Sequence, residues 1–172
     1  MLGRVRPARL EDADALALVA RATFLETYAG IVPAADIVAH CATKCAAALF
    51  LDWLGRDDHH VTIAEHAVGD APIGFTVLSP PDLPVALRPG DIELRRIYVL
   101  ATAHGIGLGH ALMNRAVDDA RAMNGARLLL GVHGGNTRAH RFYERQGFTV
   151  AGTRRFLVGT SWFDDLVYAR DI

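Results

Sequence analysis

A chain of 172 residues, 51% hydrophobic and 22% charged, has the size and composition of one globular domain with a sizeable core, and residues 1–172 are read as that single domain. Its 18 basic and 19 acidic residues leave a formal net charge of −1, which excludes the broad basic footprint of a nucleic-acid-binding protein. No run approaches the roughly 18 apolar residues that span a bilayer, and residues 1–10 alternate arginine with apolar side chains instead of presenting a charged region followed by an apolar block, so a cytoplasmic protein with no membrane partner is expected.

Gly3 to Pro7 reads as a short strand, and Asp12 stands where it can cap a helix whose residues Leu16, Val19, Ala20, Thr23 and Phe24 recur at helical spacing. Gly30 and Pro33 end that helix, and two more helical pieces follow, the second carrying Ala46, Leu49, Phe50, Trp53 and Leu54 on one side. The 2 cysteines, Cys41 and Cys45, lie four apart here without zinc-site spacing, and His59, His60 and His66 have no accompanying ligand cluster, so no metal is expected. Val61–Glu65 and Ile73–Leu78 form a hairpin around Gly69-Asp70 and Pro72, and prolines 80, 81, 84 and 89 make the next stretch irregular.

Asp91 to Val99 is a strand, on which alternation places residues 91, 93, 95 and 97 on one sheet face. A glycine-rich loop follows, then a helix burying Leu112, Met113, Ala116, Val117, Ala120 and Met123 until Gly125 stops it. Arg127–Val132 is a buried strand, and a helix runs from Thr137 to Gln146 with Asn136 as its cap and Gly147 as its stop. The last two strands, near Phe148–Leu157 and Phe163–Arg170, are joined by Gly159-Thr160-Ser161. This order implies an α/β fold, a mixed sheet with helices on both faces. The final strand reads as an edge that pairs between subunits, hence a homodimer.

The loop His104-Gly105-Ile106-Gly107-Leu108-Gly109 carries the strongest chemical signal. Glycine admits positive φ and close approach, so backbone N–H groups converge on one point, and the following helix adds its unpaired N–H groups and dipole. Strand, loop and helix together make a pyrophosphate cradle. A dinucleotide fingerprint read from Gly105 requires a small residue where His110 stands, and no Gly-Lys-Ser/Thr marks a Walker loop. Downstream, Asn136, Ala139, His140 and Tyr143 share one helix face, with Arg138, Arg141 and Arg145 on the neighbouring one.

With these motifs in this order the chain resembles the GNAT superfamily of acyl-CoA-dependent N-acyltransferases. His104, Gly107 and Gly109 occupy that family's Arg/Gln-x-x-Gly-x-Gly/Ala phosphate loop, and Asn136 and Tyr143 match its later Asn and Tyr. The resemblance implies a mostly antiparallel sheet of about seven strands with a splayed parallel pair, one strand ending near Val99 and the other starting near Leu128. It implies acetyl-CoA as cosubstrate, held by Ile97, Tyr98, Val99, the loop residues His104, Gly105, Ile106, Gly107, Leu108 and Gly109, and by Asn136, Ala139, Tyr143 and Arg145. His104 departs from the family's Arg or Gln, and Ile106 stands where a basic residue often helps, which points to weaker coenzyme binding. Thr23-Phe24-x-x-Thr27-Tyr28, Leu94-x-x-Ile97-Tyr98-Val99-Leu100 and Asp165-Leu166 further resemble bacterial polyamine N-acetyltransferases.

Amine acetylation needs a deprotonated amine, a donor for the thioester oxygen and a proton for the thiolate. Glu93 is the candidate base, a backbone N–H near Val99 the oxygen's donor, and Tyr143 the candidate acid, ranked ahead of His140. Cys41 and Cys45 lack a sequence-adjacent base, which favours direct transfer over a ping-pong route. The resemblance places the loop after the first helix, Tyr28 to Pro33, and the connection between the last strands, Gly159 to Asp164 with Trp162, around a small-molecule amine, and Glu26, Asp36, Asp91, Asp164 and Asp165 could attract a cation. A non-catalytic acyl-CoA-binding module, or an enzyme acting on protein N-termini or lysines, stands as the alternative.

Overall fold

In the computed structural model, which describes residues 3–172, the apolar runs form seven strands: β1 (Arg4–Pro7), β2 (His60–Glu65), β3 (Pro72–Ser79), β4 (Asp91–Val99), β5 (Arg127–His133), β6 (Thr149–Val158) and β7 (Ser161–Asp171). They make one sheet in the order β1-β2-β3-β4-β5-β7-β6, antiparallel except for the pair β4–β5. Helices α1 (Ala13–Tyr28), α2 (Ala34–Lys44) and α3 (Ala47–Leu54) bury Leu16, Phe24 and Phe50 against Ile63, Phe75 and Val77 on one face. Helices α4 (Leu108–Ala122) and α5 (Thr137–Arg145) bury Met113, Val117 and Tyr143 against Leu78, Leu94, Leu128 and Leu130 on the other.

The functional geometry comes from the parallel pair. β4 and β5 stay in register for three residues only, Asp91 with Arg127, Ile92 with Leu128 and Glu93 with Leu129, and then part. The closed end is clamped by a buried ion pair, in which Arg127 donates to both oxygens of Asp91 at 2.7 and 2.6 Å and to the Ala86 carbonyl at 3.0 Å. One strand away, Val77 faces Arg96 and Leu78 faces Leu94, so Arg95 is an inserted residue, a bulge. The extra residue reverses the alternation beyond it. Glu93 and Ile97 consequently occupy opposite faces, contrary to the simple pattern, with Ile97 packed toward α4 while Arg96 and Tyr98 turn toward α1 and α3.

Other boundaries shift for local reasons. Asn124, at φ 61, takes the left-handed position after α4, and Gly125 is small because a Cβ there would collide with Ile92 and the Ala120 carbonyl. The Asp12 carboxylate makes no cap for α1, since it binds the Arg6 guanidinium and the Arg9 N–H. β7 lies between β5 and β6 and is no edge; β6 is. The stretch Ala34–Leu54 is long and apolar enough to cross a membrane, a feature the sequence reading passed over. The extended backbone of Ala46 divides it into two helices of 11 and 8 residues, each too short to span.

Candidate active site

The parting of β4 and β5 opens a cleft of about 1150 Å³ that runs from the glycine loop to α2 and α3. Leu100 donates its N–H to Ile73 across the β3 side. In an antiparallel ladder alternate residues face alternate sides, so Val99 and Ile97 direct their N–H groups away from β3, into the space β5 has left. Those donors are buried in no ladder and are available to a ligand. The Val99 carbonyl faces the same way and accepts a hydrogen bond at 2.9 Å from Nε2 of His104, which therefore carries the ring proton. His104, standing in place of the family's Arg or Gln, thus ties the loop back to the end of the strand.

At the loop itself Gly105 and Gly107 adopt φ +81 and +89, conformations that side chains with a Cβ rarely take. Gly107 begins α4 without any side-chain cap, so the first N–H groups of that helix converge on the cleft with no protein acceptor among the described residues. The contrast with α5 is informative, because there Asn136 Oδ1 accepts from the Ala139 N–H at 3.1 Å and closes the terminus. Arg138, Asn136, Ala139 and Arg145 line the cleft alongside His104, Gly105, Gly107 and Gly109. Two loop residues belong elsewhere: the Ile106 side chain is exposed outside the cleft, and the Leu108 side chain is fully buried against Ala103 and Leu112, leaving Leu108 only its backbone to offer.

Tyr143 is buried among Phe142, Phe148 and Tyr168, at ring separations of 5.4, 5.9 and 6.1 Å, and its hydroxyl has no protein partner among the described residues. Burial raises its pKa above the ordinary phenol value. Glu93 is buried on the α1 side of β4, where Oε2 accepts from the Asp82 N–H at 2.8 Å and from Arg95 at 3.2 Å. Oε1 has no protein donor among the described residues. His140 is directed away from the cleft: Nε2 donates to the Gly134 carbonyl and Nδ1 meets the Tyr168 hydroxyl, both at 3.0 Å.

Of the expected acceptor residues, Tyr28, Glu26 and Asp165 line the cleft. Glu26 accepts the Ala101 N–H at 2.9 Å. Asp165 pairs through Oδ2 with Arg154 at 3.1 Å, while its Oδ1 is buried without a donor among the described residues. That burial raises the Asp165 pKa, against the pull of Arg154. Trp162 is not at the site, since β7 turns it outward under the Arg155 guanidinium, 4.9 Å from the ring centre. Asp36 is also elsewhere, accepting from Thr160 and Ser161; Asp91 is in the strand clamp; Asp164 is exposed. The cleft gathers residues that sequence reasoning did not single out: His40, Lys44, Arg96, His133 and Arg154. Only the β4 bulge, a non-local feature, brings Arg96 there.

Cys41 and Cys45 lie beside this region as thiols. Burial, with the neighbouring Cys45, pushes the Cys41 pKa up to about 11, the opposite of an activated nucleophile. Among the described residues no three His, Cys, Asp or Glu side chains gather as a metal site.

A family model described as the acetyltransferase (GNAT) family matches residues 26–148. Over 163 residues, 95% of this chain and 99% of the relative, the sequence is 31% identical to an uncharacterized N-acetyltransferase of Mycobacterium tuberculosis. The fold is similar to that of PaiA N-acetyltransferase from Thermoplasma acidophilum in complex with coenzyme A, with a TM-score of 0.80 at 23% identity covering 100% of both chains. It is also similar to ribosomal-protein-alanine N-acetyltransferase from Brucella melitensis, with a TM-score of 0.73 at 23% identity over 98% of this chain and 99% of that one.

Proposed function

The chain belongs to the GNAT acetyltransferase family and is an acetyl-CoA-dependent N-acetyltransferase, and from that premise we propose that it acetylates the primary amine of a small molecule by direct transfer within a ternary complex. The observation that carries this reading is the cleft itself. Free Val99 and Ile97 N–H groups, an uncapped α4 terminus and the unpartnered Tyr143 hydroxyl face one continuous space.

These groups fit acetyl-CoA. The N–H groups at the start of α4, with Arg138 and Arg145, suit its phosphates, and the open edge of β4 suits the amides of its pantetheine arm. When bound, acetyl-CoA supplies a thioester carbonyl carbon, to which an uncharged amine nitrogen bonds as the carbon–sulfur bond breaks. The Val99 N–H is the donor for charge gathering on the carbonyl oxygen. Glu93 Oε1 takes the proton that turns the arriving ammonium into an amine, through water. The nitrogen loses its second proton as the amide forms, and the sulfur gains one.

Tyr143 sits where it can serve that last exchange. A thiol's ordinary pKa, about 8.5, lies below that of a phenol, about 10, and burial raises Tyr143 further, so outright donation is uphill. The hydroxyl instead holds a hydrogen bond to the departing sulfur and relays the proton the nitrogen releases. The raised Cys41 thiol supports direct transfer over an acetyl-cysteine route. The narrower polyamine expectation draws no support from the cleft, whose acceptor side holds unmatched cations.

The test is initial-rate kinetics of thiol release over a grid of acetyl-CoA and amine concentrations. Intersecting lines, with release dependent on amine, are expected. Parallel lines would overturn direct transfer.

A further inference from the structure

On the α1, α2 and α3 side of the cleft the charges do not balance. Arg96 leaves β4 just after the bulge, and its guanidinium lies over Trp53 at 5.0 Å and Phe50 at 5.9 Å from the ring centres. It is half-buried, lines the cleft, and makes no ion pair or hydrogen bond among the described residues. Five other strand arginines are matched, Arg4 and Arg6 by Glu65, Arg95 by Glu93, Arg127 by Asp91 and Arg154 by Asp165, while Arg155 and Arg170, without an ion pair among the described residues, lie outside the cleft. A guanidinium with its planar fork of donors turned into a cavity, stacked on aromatic rings and left without an acceptor, has the form of an oxyanion receptor.

Lys44, at the C-terminal end of α2, lines the same space without an ion pair among the described residues. The carboxylates nearby are already engaged, Asp165 by Arg154 and Glu26 by the Ala101 N–H. His40 lines the same cleft, and burial, then Arg96 and Lys44, lower its pKa to about 4, so it adds no charge of its own. Arg96, Tyr98, Arg154 and Asp165 line one and the same cleft. There the buried Asp165 Oδ1 lacks a donor among the described residues, and an amine N–H would supply one.

We propose that the acceptor bears, besides its reacting amine, an oxyanion held by Arg96 and Lys44, so that the substrate class is the amino acids and other acidic amines. Coenzyme phosphates do not compete for this pair, because the α4 terminus and the Arg96 guanidinium serve opposite faces of the sheet. A polycation would meet Arg96 and Lys44 with like charge. The inference rests on the acetyl-transfer reading of the same cleft and deepens it.

The experiment compares kcat/KM, by thiol release at saturating acetyl-CoA, for ω-amino acids from glycine upward, the diamine and alkylamine of each length, and phosphoethanolamine against ethanolamine. A guanidinium–oxyanion contact predicts roughly a 10- to 100-fold preference for the acidic member of a set, expressed in KM. Arg96→Gln should collapse the acidic-to-neutral ratio toward one, with Arg96→Lys recovering part of it and Lys44→Gln lowering it less. Whether carboxylates or phosphate show the preference identifies the oxyanion. Preference for the diamine, or a ratio indifferent to Arg96→Gln, overturns the proposal while leaving acetyl transfer standing. Release from no amine at all would strike the acetyl-transfer reading instead. The anion site is then decided by calorimetry with coenzyme A present, using N-acetylated ω-amino acids against N-acetylated alkylamines: tighter binding of the acids, lost in Arg96→Gln, upholds it, and equal binding refutes it.

Discussion

Replacing Tyr143 by phenylalanine removes one oxygen from the centre of the proposed mechanism and changes little else. The ring is held by Phe142, Phe148 and Tyr168 through contacts that phenylalanine keeps. The hydroxyl has no protein partner among the described residues, so its loss strands no buried donor or acceptor, and stability should change by less than about 0.5 kcal/mol. What disappears is a hydrogen bond to a sulfur that becomes negative as its bond to carbon breaks. Hydrogen bonds to charged groups contribute about 1.5–3 kcal/mol, which corresponds to a loss of roughly 10- to 150-fold in kcat. That figure sits toward the low end for acid catalysis because the raised phenol pKa makes Tyr143 a relay and a donor, not a strong acid. The assay is stopped-flow thiol release under saturating substrates, with acetyl-CoA affinity measured separately by calorimetry. An unchanged kcat, or a fall traced wholly to weaker acetyl-CoA binding, would remove Tyr143 from the proton path.

Three further outcomes are expected. Glu93→Gln should lower kcat/KM for the amine by roughly 100-fold at pH 7, and a kcat/KM matching the parent would show that Glu93 only braces Asp82 and Arg95. Gly107→Ala forces a Cβ onto a backbone at φ +89, so urea midpoints should reveal a loss of about 1–2 kcal/mol alongside weaker acetyl-CoA binding. His40 binds its proton less readily folded, at about 4, than unfolded, at 6.5, so its share of stability is present above pH 6.5 and is lost as pH falls toward 4. Discounting for partial exposure, that share is about 2 kcal/mol, and the parent should lose that much more than His40→Phe between pH 7 and 4.5 in denaturant titrations. Equal losses would mean that the His40 proton is not excluded by folding.

The parts of this molecule visible in the sequence are those written in short-range signals. Asp91–Val99 occupies the strand expected of it, Asn136 caps α5 as its position suggested, and the positive φ values of Gly105 and Gly107 are what a glycine-rich turn before a helix demands. The mixed sheet followed from element order, and the splayed parallel pair is the one the family resemblance implied. Pairing partners are a different matter, because they are set by chain far away. The bulge at Arg95 exists only opposite β3, and it alone decides that Arg96 enters the cleft and that Glu93 and Ile97 part company. Strand order alone could not reveal that β7 inserts between β5 and β6, which turns Trp162 outward and brings Asp165 against Arg154. The acids expected to draw in a cation were mostly claimed by neighbours invisible in one dimension: Arg127 for Asp91, Thr160 and Ser161 for Asp36.

The central claim is that this cleft passes an acetyl group straight from coenzyme to amine. Mass spectrometry after incubation with isotope-labelled acetyl-CoA tests it most directly, with and without an amine panel that includes amino acids, polyamines and short peptides. The account predicts label on a small-molecule amine, one thiol released per acetyl transferred, and an unlabelled protein in the absence of acceptor. Labelled protein whose acetyl group later moves to the amine, or bound acetyl-CoA that yields label to no small molecule, would contradict it.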